Sequence, residues 1–328
     1  MRAMILAAGL GTRMQPLTGL VAKPALPVLG RPVIAWLLHY LRAHGIEEVA
    51  INLHHLPESI QEAVSRYGPA DLPVHYFHED EPLGTGGGIA AARDFLVHTD
   101  PFIVLAGDML IDFDLGRMIE QHRKRDALAS LVLLDAPERA KVFGSIGLGP
   151  TGRVRRIAQR LDLGKEAKSG LFVGVRIFSP AVFDSLDEMD MDGSFEDLTD
   201  WLGPLLARAE PQVYGEILRE SDLSWTPIGT PWEYLEANLN PPPAPYLSPT
   251  SIASPGTQRL GKNRDIVVGP GARLEADAQL SRCVVWENEV VPANFHATEG
   301  VFAAGRFYPS EPGEQSDPAR AAQGDSNP

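Results

Sequence analysis

The stretch AMILAAGLGTRM, residues 3–14, places a short apolar run directly before two glycines. A short apolar run bounded by glycine is typical of a strand buried within a sheet. Gly9 and Gly11 then let the backbone turn and approach a ligand closely, so that its N–H groups can face an anion. We therefore predict a strand that ends at Ala8 and opens into an anion-binding loop.

Strand and helix patterns alternate through the next hundred residues. The predicted helices lie at 32–45, 58–68 and 87–96, and the predicted strands at 47–54, 74–79 and 101–108. This order predicts a doubly wound, mostly parallel, Rossmann-like α/β sheet, which binds ligands at the carboxyl ends of its strands. Further elements are predicted downstream: a helix at 115–126, a strand at 127–135, strands within 142–178 and a helix at 196–209.

The C-terminal part has a different pattern. Five prolines between 240 and 251 predict a linker. Beyond it, apolar residues recur every six positions, which is the period of a parallel β-helix; a few irregular strands are the alternative. The two series are Ile266, Ala272, Ala278, Val284 and Val290, and Val268, Leu274, Leu280 and Trp286. The predicted parts are an α/β domain (1–239), a linker (240–255), a small β-helix-like domain (256–308) and a disordered tail (309–328).

Composition disfavours several classes of function. The 328 residues carry a formal net charge of −14, which repels the phosphate backbone of nucleic acids. No apolar run approaches the roughly 18 residues of a membrane span. The single cysteine, Cys283, excludes an intrachain disulfide and a multi-cysteine zinc site. We expect a cytoplasmic protein with neither a nucleic-acid nor a membrane partner, in which an anionic substrate would need local basic residues or a divalent cation.

Arg13 and Lys23 place positive charge beside the glycine loop of this acidic chain. The loop lacks the third glycine of a dinucleotide fingerprint and the Gly-Lys-Ser/Thr of a P-loop. GLGTRMQPLTGLVAKP (9–24) instead resembles the Gly-x-Gly-Thr-Arg-Leu/Met-x-Pro-Leu-Thr…Pro-Lys-Pro motif of sugar-1-phosphate nucleotidyltransferases, with Ala22 in place of one proline. These enzymes make nucleotide sugars from a nucleoside triphosphate and a sugar 1-phosphate. The resemblance implies that Lys23 stabilises charge on the reacting phosphates and that the triphosphate is held by Ala8, Gly9, Gly11, Thr12 and Arg13.

A second glycine-rich stretch, EDEPLGTGGGI (79–89), resembles the family's Glu/Gln-x-x-Pro-Leu-Gly-Thr-Ala-Gly loop, which contacts the base. Its glycines would leave the backbone bare enough for a planar base, and the Glu79 carboxylate would accept hydrogen bonds from ring N–H groups. A glycine loop that simply begins a helix is the alternative. The resemblance adds Glu79, Pro82, Gly84, Thr85 and Gly86 to the predicted nucleotide site.

Asp108 follows the apolar strand that is predicted at 101–108. A carboxylate in this position suits a hard cation such as Mg²⁺, which takes few protein ligands and several phosphate oxygens and waters. The family has a magnesium-binding aspartate in the same Gly-Asp sequence. The resemblance therefore implies Mg²⁺ as cofactor, Asp108 as its ligand, and Arg13, Lys23 and Asp108 as the catalytic side chains.

The acceptor half resembles the family less closely. KSGLFVGVRIFSP (168–180) resembles the Asn-Ala-Gly-Ile-Tyr-Val-Phe strand, with Gly170 at the close approach, and SFEDLTDWL (194–202) resembles the Ile-Glu-x-Asp segment. Arg160 stands where relatives carry the lysine of Glu-Lys-Pro. The implied sugar-phosphate site consists of Arg160, Gly170, Glu196 and Gly229.

SWTPIGTP (224–231) departs from the family at one position. Its two prolines around a glycine predict a rigid turn. Relatives read Trp-x-Asp-x-Gly-Thr-Pro, and their aspartate joins the first one on magnesium, whereas this chain has Pro227. Asp222 would compensate only if the loop doubled back.

The implied reaction needs no general base, because a sugar 1-phosphate is already ionised near neutral pH. Its oxygen attacks the α-phosphorus and pyrophosphate leaves, so catalysis is positioning plus charge neutralisation. The C-terminal repeats resemble the mannose-1-phosphate guanylyltransferase-like branch, which makes GTP and mannose 1-phosphate the first hypothesis and a homo-oligomer plausible through the C-terminal domain. A UTP- or dTTP-using enzyme acting on N-acetylmuramate 1-phosphate or glucose 1-phosphate, and a catalytically weak regulatory protein that binds nucleotide sugars, remain open.

Overall fold

The computed structural model describes residues 1–189, 191, 193–208, 212–261 and 265–311. Strands and helices alternate in the N-terminal part, as the sequence predicts. The elements are β1 (Arg2–Leu6), β2 (Pro27–Val28), β3 (Arg31–Pro32), α1 (Val33–Ala43), β4 (Glu48–Leu53), α2 (Pro57–Tyr67), β5 (Val74–His78), α3 (Gly84–Ala91), α4 (Arg93–Leu96) and β6 (Phe102–Ala106).

Four parallel strands form the centre of the fold, in the order β6-β1-β4-β5. Alternate side chains of β1 enter two different cores: Ala3 and Ile5 pack with α1 and α2, whereas Met4 packs with α3 and α4. Burial on both faces explains the continuous apolar runs of these strands. Because the strand order reverses between β1 and β6, the loops at their carboxyl ends leave a crevice between them.

The following elements make the sheet mixed rather than mostly parallel. They are β7 (Met109–Phe113), α5 (Leu115–Lys124), β8 (Ala129–Leu134), α6 (Pro137–Phe143), β9 (Ile146–Leu148), β10 (Val154–Ile157), β11 (Leu161–Asp162), β12 (Lys168–Phe178), α7 (Val182–Met189), α8 (Gly203–Arg208), β13 (Val213–Leu218), β14 (Leu223–Pro227) and α9 (Pro231–Leu239). The long strand β12 runs antiparallel to β6, β8 and β9. The parallel prediction therefore holds for the four N-terminal strands, and the complete ten-stranded sheet is mixed.

Two helices differ from their predicted form. The helix predicted at 87–96 begins earlier, at Gly84, because the N–H groups of Gly86 and Gly87 donate to the carbonyl of Phe195 and so have a tertiary partner. The segment predicted as a helix at 196–209 is a π-helix over Asp197–Leu202 followed by α8. Residue 209 of that prediction lies outside the described residues.

The predicted rigid turn over 224–231 is partly wrong. Strand β14 pairs antiparallel with β7 up to Pro227, which lies opposite Met109, and only residues 228–230 turn before α9. Proline is tolerated at the edge of this two-stranded sheet, where its nitrogen needs no partner. Asp222 precedes the extended strand and lies at its far end, so it does not double back toward Pro227.

The C-terminal part forms a small mixed sheet. Its elements are α10 (Pro249–Ile252), β15 (Gln258–Leu260), β16 (Ile266–Val268), β17 (Arg273–Leu274), β18 (Gln279–Val285), β19 (Val290–Val291), β20 (His296–Ala303) and β21 (Arg306–Pro309). Successive strands pair in parallel, Ile266 with Cys283 and Cys283 with Gly300, and β17 pairs in parallel with β19. Strands β15 and β21 close the two edges in antiparallel orientation.

The six-residue period slips by one position within this sheet. Ile266, Ala272 and Ala278 enter the small core as predicted, but Val285 and Val291 follow them, while Val284 packs against the larger core. Val290, predicted inside, is 40% exposed. The slip falls around Arg282, whose φ of 50° lies in the left-handed region and interrupts the regular strand.

The prediction of a disordered tail from residue 309 is wrong for its first two residues, since Pro309 ends β21 and Ser310 is buried. Residues 312–328 lie outside the described residues. Among the residues that the structure describes, no helix has the length and apolar character needed to cross a bilayer.

Candidate active site

A cavity of about 600 Å³ opens at the carboxyl ends of β1 and β6, in the crevice that the strand order creates. This is the position at which α/β sheets bind ligands. Most of the residues predicted from the sequence line it. They are Ala8, Gly9, Gly11, Thr12, Arg13, Lys23, Glu79, Pro82, Gly84, Thr85, Asp108 and Glu196.

The loop after β1 has a fixed backbone and an exposed outer surface. Gly11 has a φ of 62°, and a Cβ there would lie 2.9 Å from Thr18 Cγ2, so only glycine fits without strain. The Thr18 hydroxyl and the Met14 N–H both donate to the Gly11 carbonyl at 2.9 Å. Gly9 and Arg13 face solvent. A preshaped loop with a cation beside it suits an anionic ligand.

Lys23 and Asp108 form an ion pair between this loop and the end of β6. Lys23 Nζ lies 2.6 Å from Asp108 Oδ2, and Lys23 is only 8% exposed. No cluster of three or more carboxylate, histidine or cysteine side chains that would hold a metal occurs among the described residues. A single carboxylate still fits Mg²⁺ that is held mainly by substrate phosphates and water, and Asp108 is the residue that would bind it.

Pro227 lies directly beside Asp108. It lines the cavity, and the N–H of the next residue, Ile228, donates to the Asp108 carbonyl at 2.8 Å. The pyrrolidine ring supplies no ligand for a cation. Asp222 lines a different cleft, so it does not replace the missing carboxylate.

Glu79 is held by hydrogen bonds within the protein. Its Oε1 accepts from Asn52 Nδ2 at 2.7 Å, and its Oε2 accepts from the Leu83 N–H at 2.9 Å. Asn52 Oδ1 in turn accepts from the Ala7 N–H at 2.7 Å. Glu79 and Asn52 therefore tie the end of β1 to the loop before α3. Asn52 also lines the cavity and was missed, although a polar residue within the apolar strand EVAINL was a usable signal.

The glycines of α3 allow other segments of the protein to pack closely against the helix. They do not form the bare backbone surface that was predicted to contact a base. A Cβ at Gly86 would lie 2.4 Å from the Phe195 ring, one at Gly87 2.5 Å from the Gly193 carbonyl oxygen, and one at Gly88 2.7 Å from Asn52 Nδ2. Gly86, predicted to contact nucleotide, accordingly lies beneath the cavity lining. The second glycine stretch thus packs against the acceptor segment around residues 193–197.

A buried ion pair lies on the side of the cavity that is predicted to bind the acceptor. Arg176 donates through Nε and Nη2 to the two carboxylate oxygens of Asp197, at 2.5 and 2.8 Å, and both side chains are buried. The Thr85 hydroxyl lies 2.6 Å from Glu196 Oε2 and 2.7 Å from Asp197 Oδ1. Arg176 lines the cavity, although neither it nor Asp197 is among the predicted site residues. This network joins the loop before α3 to the segment around residues 196–197.

Three predicted acceptor residues lie elsewhere. A Cβ at Gly170 would lie 2.9 Å from Leu133 Cβ, so this glycine packs within the sheet; Gly174, four residues later with a φ of 80°, lines the cavity instead. Arg160 lies exposed in the turn between β10 and β11, away from the lining. Gly229 is buried, and a Cβ there would lie 3.7 Å from Arg13 Nη2.

Comparisons with known proteins agree with this geometry. The nucleotidyl transferase family matches residues 2–241. A UTP–glucose-1-phosphate uridylyltransferase of Synechocystis is 30% identical over 248 residues, 72% of this chain and 62% of that protein. A mannose-1-phosphate guanylyltransferase of Mycobacterium tuberculosis is 28% identical over 306 residues, 89% of this chain and 81% of that protein.

The fold is also similar to a solved structure, that of HddC from Yersinia pseudotuberculosis. The superposition of the two structures has a TM-score of 0.58 at 24% sequence identity and covers 72% of this chain and 97% of HddC. This similarity concerns the fold alone. The family match covers most of the chain and includes every predicted nucleotide-side residue. The chain therefore belongs to the sugar-1-phosphate nucleotidyltransferases, a family of enzymes.

Proposed function

We propose that this protein transfers a nucleotidyl group from a nucleoside triphosphate to a sugar 1-phosphate, with GTP and mannose 1-phosphate as its preferred pair. The observation that carries the proposal is the Lys23–Asp108 pair, which lies in one cavity with the exposed Arg13 and the acceptor residue Glu196. The choice of pair is supported by the relatives named mannose-1-phosphate guanylyltransferase from Arabidopsis and Mycobacterium. They align over 81% of their own length, against 62% for the uridylyltransferase.

In this proposal the chain positions two anions and neutralises their charge. The N–H groups of the loop after β1 and the guanidinium of Arg13 would hold the triphosphate. Lys23, nearly excluded from solvent, would neutralise the negative charge that develops around the α-phosphate as the acceptor oxygen attacks. Glu196 would accept hydrogen bonds from sugar hydroxyls. A divalent cation on Asp108 would supply further charge neutralisation.

One assay tests both the reaction and the pair. The purified full chain would be incubated with Mg²⁺, with ATP, GTP, CTP, UTP or dTTP, and with mannose, glucose or N-acetylmuramate 1-phosphate, while pyrophosphate release is followed. We expect the highest kcat/KM for GTP with mannose 1-phosphate. We expect Asp108→Ala to lose about a hundredfold or more in kcat, as removal of a charge-stabilising group does, and Glu188→Gln, an exposed carboxylate on α7, to keep full activity.

The assay tests the substrate pair and the transfer reaction separately. A higher kcat/KM for UTP or dTTP with another sugar phosphate would replace the pair and leave nucleotidyl transfer standing. Release no faster than that of Asp108→Ala with every pair would refute the transfer itself.

Pro227 favours a second candidate, a catalytically weak protein that binds nucleotide sugars. Its ring lies where a second carboxylate would accompany Asp108. If the lack of a second carboxylate limits the rate, Pro227→Asp should raise kcat about tenfold or more. It should also lower the Mg²⁺ concentration that gives the half-maximal rate. Pro227→Asn is the matched control, since it removes the proline without adding charge. An equal rate in wild type and Pro227→Asp would show that the second carboxylate is not limiting.

We also propose that the C-terminal strands form a short left-handed β-helix-like domain beyond a linker, through which copies of the chain assemble. The parallel pairing of β16 with β18, of β18 with β20 and of β17 with β19 supports a coiled path. Light scattering coupled to gel filtration tests the assembly: an oligomer is expected, and a monomer across the micromolar range would contradict it.

A further inference from the structure

The loop before α3 is joined by backbone hydrogen bonds to the segment around Phe195. The N–H of Phe195 donates to the carbonyl of Leu83 at 3.0 Å, and the N–H groups of Gly86 and Gly87 donate to the carbonyl of Phe195 at 2.9 and 3.2 Å. Gly84 allows this close approach: its φ is 70°, and a Cβ there would lie 2.6 Å from the Phe195 carbonyl oxygen. Two segments, one predicted to contact the nucleotide and the other the sugar, are therefore held together.

The side chain of Thr85 lies where these two segments meet. Its hydroxyl oxygen accepts a hydrogen bond from the Asp197 N–H at 3.0 Å, and it lies 2.6 Å from Glu196 Oε2 and 2.7 Å from Asp197 Oδ1. A hydroxyl carries one proton, so it donates to only one of the two carboxylates at a time. Every hydrogen bond that this side chain makes among the described residues goes to Glu196 or Asp197, although Thr85 is among the residues predicted to bind the nucleotide.

The ion pair of Arg176 and Asp197 favours donation of the Thr85 proton to Glu196. The guanidinium of Arg176 donates to both carboxylate oxygens of Asp197, which compensates the charge of that buried group. The Glu196 carboxylate, in contrast, has no donor other than the Thr85 hydroxyl in the part of the chain that the structure describes. Because the unpaired carboxylate keeps its full negative charge, it is the stronger acceptor for the single proton.

We propose that Thr85 is a positioning residue for the acceptor, whose hydroxyl holds the Glu196 carboxylate in place before the sugar binds. Glu196 is exposed and lines the large cavity, so its Oε1 remains accessible while Thr85 holds Oε2. A contact that exists before binding reduces the entropy lost when a flexible glutamate is ordered by its ligand. The inference rests on the proposed function, in which Glu196 accepts hydrogen bonds from sugar hydroxyls. Loss of the Thr85 hydroxyl should therefore weaken binding of the sugar and not of the nucleotide.

Isothermal titration calorimetry of the full chain tests the proposal, with GDP-mannose and GDP as probes and UDP-glucose and UDP in parallel. The difference in affinity between a nucleotide sugar and its nucleoside diphosphate reports on the sugar contacts. Thr85→Val removes the hydroxyl and keeps the branched shape, so it should weaken binding of the nucleotide sugar about tenfold and leave binding of the diphosphate nearly unchanged. Thr85→Ser keeps the hydroxyl and should restore most of the affinity. Thr151→Val, at an exposed threonine in the turn before β10, is the matched control and should bind like the wild type.

Two further measurements show whether Thr85 acts through Glu196. In the Glu196→Ala background, Thr85→Val should cause no further loss of affinity, because no carboxylate remains for the hydroxyl to hold. In the pyrophosphate assay, Thr85→Val should raise the KM for mannose 1-phosphate with little change in kcat. Contacts with sugar hydroxyls do not involve the reacting phosphorus, so they stabilise the ground state and the transition state alike.

Several results would overturn the proposal: equal affinity of wild type and Thr85→Val for the nucleotide sugar, an equal loss of affinity for the diphosphate, binding by Thr85→Ser that is as weak as that by Thr85→Val, or no binding of either nucleotide sugar by the wild type. The titrations need no turnover. A wild type that binds a nucleotide sugar but releases no pyrophosphate would therefore refute the proposed reaction and leave the role of Thr85 to be decided by its variants.

A variant at an exposed position keeps the test valid if Thr85→Val does not fold, as judged by circular dichroism. Glu196→Asp shortens the side chain by one methylene and withdraws the carboxylate from the Thr85 hydroxyl. It should weaken binding of the nucleotide sugar about as much as Glu196→Ala does. Affinity equal to that of the wild type would show that the contact with Thr85 does not matter for sugar binding.

Discussion

The two sides of the large cavity are built in different ways. The part of the nucleotide side that is predicted to hold the triphosphate is one continuous loop after β1, whose exposed backbone is fixed by Gly11 and whose exposed cation is Arg13. The acceptor side is assembled from separate segments, which the buried pair of Arg176 and Asp197 holds together. A local loop keeps its shape through its own residues, whereas an assembled wall depends on a few long-range contacts. We therefore expect mutations on the two sides to affect different properties.

The largest expected effect is on the acceptor side. Arg176→Ala leaves Asp197 as a buried, unpaired carboxylate, which should lower the free energy of unfolding by about 3–5 kcal/mol. Urea denaturation measures this. Arg13→Ala is the matched control on the nucleotide side: its exposed guanidinium should contribute little to stability, while its loss should raise the KM for the triphosphate. Equal stability of the two variants would remove the distinction between the sides.

Asp112 and Asp197 are both buried carboxylates, but among the described residues only Asp197 has a cationic partner, Arg176. Burial raises the pKa of Asp112 to about 6 from its ordinary 3.8. The folded protein therefore holds an extra proton between these values, and this group's contribution to stability is full below about pH 4 and is lost as the pH rises through about 6. At pH 7.5 Asp112→Asn should be more stable than the wild type by about 3 kcal/mol, and at pH 4 nearly equal to it.

Thermal and urea unfolding of Asp112→Asn at both pH values measures this effect. Glu188→Gln, exposed on α7, should follow the wild-type pH dependence. A stability gain of the same size at pH 4 and pH 7.5 would show that ionisation of Asp112 is not its cause.

The smallest expected effect compares two glycines of the nucleotide loop. Gly11→Ala forces a side chain into the left-handed region against Thr18, which should cost about 1 kcal/mol of stability. A Cβ at Gly9 meets no atom of the described residues within 4 Å, so Gly9→Ala should unfold like the wild type. If the triphosphate lies in that open space, Gly9→Ala should still raise its KM. Calorimetric unfolding and initial-rate kinetics separate the two effects, and an unchanged KM in Gly9→Ala would place the triphosphate elsewhere.

The residues of the loop after β1 could be predicted from the sequence more fully than those of the opposite wall. Ala8, Gly9, Gly11, Thr12 and Arg13 come from one contiguous motif, and all of them line the cavity. On the acceptor side, the predicted residue is Gly170, whereas Gly174 lines the cavity. Both glycines lie in β12, and nothing in the neighbouring sequence indicates which of them faces the cavity. Arg176 was missed because a buried arginine is recognisable only through its partner Asp197, twenty-one residues away.

The six-residue repeat of the C-terminal part also predicts only some of its buried positions. A six-residue repeat predicts the inward positions up to Ala278, and a one-residue slip around Arg282 then replaces Val290 by Val291. The slip changes which face is buried, yet both residues are valine, so composition carries no trace of it.

The sequence by itself determined the alternation of strands and helices, the shape of the loop after β1 and the cations beside it, since these depend on backbone preferences and on spacing along the chain. The tertiary structure alone decided that the glycines of α3 pack on Phe195, that Arg176 pairs with Asp197, that Pro227 lies beside Asp108 and that Asp112 is buried with one oxygen unpartnered. Each of these depends on which distant segments meet, and side-chain burial and pairing are set by that meeting.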